Sequence, residues 1–404
     1  MQKNQKFYIV VFYLTHVVKG GDTIKKYVIL LSSILIAGVL FSGCMQNETK
    51  TETPTLKVAY LPTDHHAALF VAAKEGNLFK DKYGIYMKEI EPKKKYELYE
   101  NGKKVADVEL VQVVEGGAKI MTLMAQNQID IGLNGVPPAV FAIDKGTKAK
   151  IISALQGEGS AVVIRKDIPA NNWEEFINWI KEQHANGKQV KIGYPLPISI
   201  QYVMIKKALE AEGITYTEDP NNKEAMVLLI NCKGQKSMPQ MLSQKELDAV
   251  IAWEPTPEVL KTEGIGKPIV YSKDLPPKGM WKDHPCCVIA ASEDALNNKR
   301  DAVKAFLKLI VLATKEINEN KELVIKDSAE WLGVDEKVEE ESIPNMKFDT
   351  NPEPLKEGTY LFVDVMNKQG AMDGKLKGVS NKSEIDNILF DFSIYNEIMK
   401  ELNE

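Results

Sequence analysis

From Leu56 onward, short β-rich runs alternate with stretches of helical periodicity, and this rhythm limits the folds open to the chain. Leu56–Leu61 reads as a strand, Ala67–Glu75 as a short amphipathic helix and Ile85–Glu91 as the next strand. Gly117–Gln128 is helical, and Ile129–Leu133 is a strand running into Asn134-Gly135. Pro137–Lys145 is a helix with proline in its first turn, where the missing N–H costs little. Lys150–Leu155 is another strand. The βαβα order argues for an α/β fold with mostly parallel sheets. Tyr96–Val114 departs from it. Two alternating stretches flank Asn101-Gly102, a strong two-residue turn signal, so the segment reads as a hairpin inserted to extend the strand at Ile85.

The rhythm then restarts. Asn172–Gln183 places Trp173, Phe176, Ile177 and Ile180 on one helical face. Val190–Tyr194, Met226–Asn231 and Asp248–Trp253 read as strands, with helices at Ser199–Glu212 and Met238–Lys245 between them. Pro268–Tyr271 and Cys286–Ala291 are strands suited to return to the first lobe. After Lys299 the chain is mainly helical, led by the amphipathic Ala302–Asn318. The expected organisation is two α/β lobes joined by two crossover segments, with a helical C-terminal portion on the first lobe. Residues 56–160 and 284–404 would form lobe 1, and residues 161–283 lobe 2.

The N-terminal residues carry an address rather than a fold. Tyr27–Phe41 is apolar apart from Ser32, Ser33 and Gly38; Lys25-Lys26 precede it and Ser42-Gly43-Cys44 follow. A basic start, a short apolar stretch and a small-residue exit describe a secretory signal over residues 1–43. The exit is similar to a lipobox, which makes Cys44 the lipidated N-terminus of the mature chain, although Phe41 stands where leucine is common. The apolar run falls short of the ~20 residues a membrane span needs. Residues 1–23 fit no part of this signal, and a start codon downstream of them is one explanation. Residues 44–55 are polar and read as a tether to the membrane.

Charge narrows the partners. The net charge is −5, and the basic leader leaves the body more acidic still. An acidic body lacks the basic face that nucleic acid requires. Arg165 and Arg300 are the only arginines, so guanidinium forks for a multiply charged oxyanion are scarce. The cysteines are Cys44, Cys232, Cys286 and Cys287, with no CxxC spacing. His284-Pro285-Cys286-Cys287 opens an apolar strand, and buried cysteine is ordinary there. No metal ligand set and no cofactor is therefore assigned. There is no G-x-S-x-G elbow, P-loop, H-E-x-x-H or G-x-G-x-x-G.

Leu56–Ile85 resembles periplasmic-type binding proteins of the nitrate, sulfonate, taurine and thiamine-precursor group. In that group, strand one feeds a ligand loop, then a helix, then a turn like Ala72–Phe79 and a glycine like that of Tyr83-Gly84-Ile85. Gln128–Gly135 with Pro137-Pro138, Lys191–Gln201, Leu247–Pro255 and His284–Val288 match in order, so the resemblance spans about Leu56 to Asn320. The hairpin at Tyr96–Val114 departs from the pattern. The resemblance implies a two-lobed periplasmic-binding-protein-like fold of type II. It also implies a monomer that captures a small molecule outside the membrane and delivers it to the permease and ATPase of an ABC importer. The ligand would be a nitrate-, sulfonate- or taurine-like anion or a pyrimidine-type vitamin precursor. In α/β sheets, ligands bind where strands end and helices begin. That selects Thr63, Asp64, His65 and His66, then Asn134 and Gly135, then Ser199 and Ile200, and finally Trp253 and Glu254. The alternative is an enzyme on the same fold, similar to thiamine-pyrimidine synthases, which use histidine and cysteine.

Overall fold

The computed structural model describes residues 53–403. The signal, Cys44 and most of the tether lie outside the described residues. The chain opens with β1 (Thr55–Tyr60), α1 (Ala67–Lys74) and α2 (Gly76–Tyr83). A meander follows, made of β2 (Ile85–Glu91), β3 (Lys95–Glu100) and β4 (Lys103–Gln112). Next come α3 (Gly117–Ala125), β5 (Ile131–Gly135), α4 (Val136–Asp144), β6 (Ala149–Glu158) and β7 (Ser160–Arg165). The middle of the chain holds α5 (Trp173–Ala185), β8 (Val190–Tyr194), α6 (Ile200–Ala211), β9 (Tyr216–Thr217) and β10 (Val227–Asn231). After them stand α7 (Met238–Ser243), β11 (Ala249–Trp253), α8 (Thr256–Thr262), β12 (Gly266–Tyr271) and β13 (Pro285–Ser292). The last part holds α9 (Glu293–Asn298), α10 (Arg300–Glu319), α11 (Lys321–Leu332), α12 (Glu336–Ser342) and β14 (Met346–Phe348). It closes with α13 (Pro352–Lys368), α14 (Lys382–Leu389) and α15 (Ser393–Asn403).

The strands form two sheets, so the molecule is a two-lobed α/β fold. One sheet runs β14-β6-β13-β5-β1-β4-β3-β2, the other β12-β7-β11-β8-β10-β9. Among the named strands, parallel pairing is confined to β4-β1-β5 in the first and β9-β10-β8-β11 in the second. The flanking strands are antiparallel. The sheets are thus mixed rather than mostly parallel. Antiparallel strands flank the parallel block on both sides in the first sheet and on the β11 side in the second, which a β–helix–β rhythm alone does not disclose.

Other sequence expectations change in detail. The strand at Ile85 is not beside β1. β4 takes that place in parallel register, Val58 opposite Leu110, and β2 is the sheet's edge. The hairpin is therefore built into the sheet, not added to its rim. β12 pairs with β7 in the second sheet, leaving β13 as the returning strand. α1 is buried from Ala67 to Ala73 and is not amphipathic, because α10 and α11 cover the face the sheet leaves open. The C-terminal portion packs on the first sheet but also reaches the second lobe. Asn345 Nδ2 donates to Glu254 Oε1 at 2.9 Å, and Gln369 donates to the Val203 carbonyl at 3.2 Å.

Two chain crossings lie side by side between the sheets. The Glu158 N–H donates to the His284 carbonyl at 3.1 Å, and the Asp283 N–H to Glu158 Oε1 at 3.1 Å. The long α10 buries Val303, Phe306, Leu307 and Ile310, while Lys304 and Lys308 on its other face pair with Glu401. None of the described helices is long and apolar enough to cross a membrane.

Candidate functional site

β1 ends where the chain must turn into α1, and Thr63 manages that turn. Its Oγ1 accepts from the His65 N–H at 3.4 Å and donates to the Glu254 carbonyl at 2.7 Å. Thr63 therefore caps the single 3₁₀ turn Asp64–His66 that leads into α1, while the Asp64 carboxylate turns away to accept from the Ser342 hydroxyl. The Leu61 N–H donates to His66 Nδ1 at 3.0 Å. His65 Nε2 lies 2.8 Å from the Gly159 carbonyl. That carbonyl also accepts from the Glu254 N–H at 3.0 Å. One crossover oxygen thus ties the first-lobe loop to the end of β11.

Between the lobes lies a cavity of about 40 Å³, room for a few water-sized groups. The first lobe lines it with Leu61, Thr63, His65, Gly117 and Gly135, and with Cys286 and Cys287. The second lobe contributes Leu196, Ser199, Ile200, Gln201 and Trp253. Ser199 caps α6, accepting from the Tyr202 N–H at 3.1 Å, so the start of that helix faces the cavity. Gln201 Nε2 donates to Ser160 Oγ at 2.8 Å. Leu196 closes over Gly116: a Cβ on that glycine would stand 1.9 Å from Leu196 Cδ1. Lysine and arginine are absent from this lining.

Of the residues selected from sequence, Thr63, His65, Gly135, Ser199, Ile200 and Trp253 line the cavity. Asp64, His66, Asn134 and Glu254 do not. His66 is held by Leu61, and Asn134 Oδ1 accepts from the Gly135 N–H at 2.9 Å. Glu254 is fully buried, one oxygen on Asn345 and the other without a hydrogen-bond partner. Behind the loop, Asp64, Glu254, Glu258 and Glu339 form a buried acidic group. Burial raises Asp64 to about 6 and Glu339 to about 10. Burial, with Glu258 and Asp64 nearby, pushes Glu254 well above the usual carboxylate range. Protonated carboxyls at this depth relieve a repulsion that the fold otherwise carries.

Sequence reasoning passed over Cys286 and Cys287. Their sulfurs lie 3.2 Å and 3.7 Å from His65 Nδ1 and 3.9 Å from each other. Neighbouring strand residues normally face opposite sides. Here the β13–β6 register shifts between Pro285 and Cys287 and again between Cys287 and Val288, and both thiols reach one imidazole. Burial raises the Cys286 thiol. The Cys286 hydrogen bond, joined by the imidazoles of His65 and His66, holds the Cys287 thiol well below its ordinary value against burial.

A sequence model described as the NMT1-like family matches residues 49–333. An uncharacterized protein of Methanocaldococcus jannaschii is 58% identical over 134 residues, 33% of this chain and 92% of that one. Among solved structures, the fold is similar to the periplasmic nitrate-binding protein of Synechocystis (TM-score 0.66, 18% identity, 87% of this chain and 89% of that one). It is also similar to the ligand-binding component of an ABC-type import system from Staphylococcus aureus, solved with zinc bound (TM-score 0.63, 17% identity, 85% and 99%).

Proposed function

The chain belongs to the NMT1-like family, and on that premise we propose that it is a solute-binding protein of an ABC importer. It captures a small molecule outside the membrane and hands it to a permease and its ATPase. The signal over residues 1–43 exports it, and lipid on Cys44 anchors it through the polar tether. The observation that carries this reading is the cavity enclosed by strand ends and helix starts from both sheets. Closing two lobes on a ligand is how such a fold couples capture to docking. The nitrate-binding and import-component structures noted above support it.

The site favours a compact solute. A cavity of about 40 Å³ with the starts of α3 and α6 at its wall suits a small monoanion held by N–H groups. A lining without lysine or arginine is poorly suited to a multiply charged one. Thr63, His65, Gly135, Ser199, Ile200 and Trp253 would contact it. Asp64, His66, Asn134 and Glu254 would shape and support the loops that do.

An enzyme on this fold is favoured by one observation, the meeting of His65 with two cysteines at the cavity. A thermal-shift titration of the full-length protein in detergent separates the two readings. The panel is nitrate, small sulfonates, taurine, pyrimidines and vitamins. A true ligand at a hundredfold excess over its Kd stabilises by about 2.7 kcal/mol. Recovery of that solute chemically unchanged is the expected outcome. Its conversion would establish the enzyme instead.

A further inference from the structure

We propose that His65, Cys286 and Cys287 form a three-ligand site for a thiophilic d¹⁰ metal ion, Zn(II) or Cu(I), in the wall of the interlobe cavity. The inference goes beyond solute capture and does not depend on which solute enters.

The triangle of donor atoms has the size the ion requires. Bonds of about 2.3 Å to sulfur and 2.0–2.1 Å to nitrogen, at tetrahedral to trigonal angles, set sulfur–sulfur edges of about 3.8–4.0 Å. The same bonds set nitrogen–sulfur edges of about 3.6–3.8 Å. The edges found are 3.9 Å between the sulfurs and 3.7 Å and 3.2 Å from them to Nδ1. A small ring movement of His65 makes them regular. All three side chains are buried, with His65 at 2%, Cys286 at 2% and Cys287 at 4% exposure.

A second observation concerns the far side of the ring. His65 Nε2 lies 2.8 Å from the Gly159 carbonyl, which accepts only a hydrogen bond, so Nε2 carries the proton and the Nδ1 lone pair faces the sulfurs. A backbone carbonyl holding the other ring nitrogen is the usual support of a metal-bound imidazole. Cysteines that merely fill a core need neither the doubled register shift nor an oriented histidine. Imidazole and two thiolates select soft ions over magnesium or calcium. All three residues also line the cavity, so a fourth position opens toward whatever solute the cleft holds. Binding releases the thiol protons to solvent as the two metal–sulfur bonds form.

The test is competition for Zn(II), and separately for Cu(I), between the reduced full-length protein and a chromophoric chelator. One ion per chain is expected. His65→Ala and the Cys286→Ala/Cys287→Ala pair should each weaken uptake by more than about a hundredfold, beyond the loss typical of an outer-shell change. Circular dichroism and thermal melting of the metal-free variants establish that they fold. Cobalt(II) should give an intense thiolate charge-transfer band that the cysteine variant lacks. Equal uptake by wild type and the folded cysteine variant overturns the site, as does no uptake of either ion by wild type. If metal uptake fails in this way while a panel solute still stabilises the protein, the metal site is removed and solute capture stays in place.

Discussion

Gly159 sits at φ +76° in the first crossover, a conformation that a side chain strains. A Cβ there would also stand 2.7 Å from His65 Nε2 and 2.6 Å from Met346 Cγ. Glycine is required twice over, once by the backbone and once by the imidazole that approaches it. Gly159→Ala should therefore destabilise the protein by about 1–3 kcal/mol and push His65 off its carbonyl partner. A urea midpoint measures the first effect. Solute titration measures the second, with weaker binding expected. A variant as stable as wild type that binds equally well would show that the ring is not held from this side.

At the scale of the element, α11 closes the open face of α1, with Trp331 stacked on Phe70 at 4.9 Å between ring centroids. The same helix places Asp327 in the interior, where its carboxylate stands 3.5 Å from Lys74 Nζ. Burial, with Glu75 adding repulsion, raises Asp327 to about 6 from an ordinary value of 3.8. The folded state then binds the proton more tightly than the unfolded chain between those values. Stability is present in full below pH 4 and falls as pH rises to about 6. Asp327→Asn should stabilise the protein at pH 7 by about 1–3 kcal/mol and flatten that pH dependence. Urea unfolding at pH 4 and pH 7 checks both. The ends of β1, β8 and β11 were legible in the sequence because apolar periodicity and turn residues are local signals. Thr63 and Ser199 could be placed at the cavity for that reason. The buried acids were not, since Asp64 meets Ser342 and Glu254 meets Asn345 only through the folded chain. Nor were the cysteines, because a register shift depends on the partner strand β6 and leaves no mark in Cys286-Cys287 itself. β4 was misplaced for a related reason: alternation identifies a strand but not its neighbour.

Across the whole molecule, lobe closure rests on few direct bonds, and the hydroxyl of Thr63 makes one of the shortest. It joins the loop after β1 to the Glu254 carbonyl at 2.7 Å, from one lobe to the residue that follows β11 of the other. Thr63→Val keeps the shape and removes the donor. An intramolecular hydrogen bond contributes about 1 kcal/mol net, so the open form should gain about fivefold on the closed one. If Thr63 acts on the solute only through closure, affinity falls by no more than that factor, since a ligand is bound less tightly only by the fraction of competent lobes lost. A larger fall would mean that the hydroxyl also touches the solute. Small-angle scattering follows the first quantity and solute titration the second, on the same two proteins. An unchanged scattering profile with unchanged affinity would show that Gly159, through its bonds to His65 and Glu254, holds the lobes together without help from Thr63.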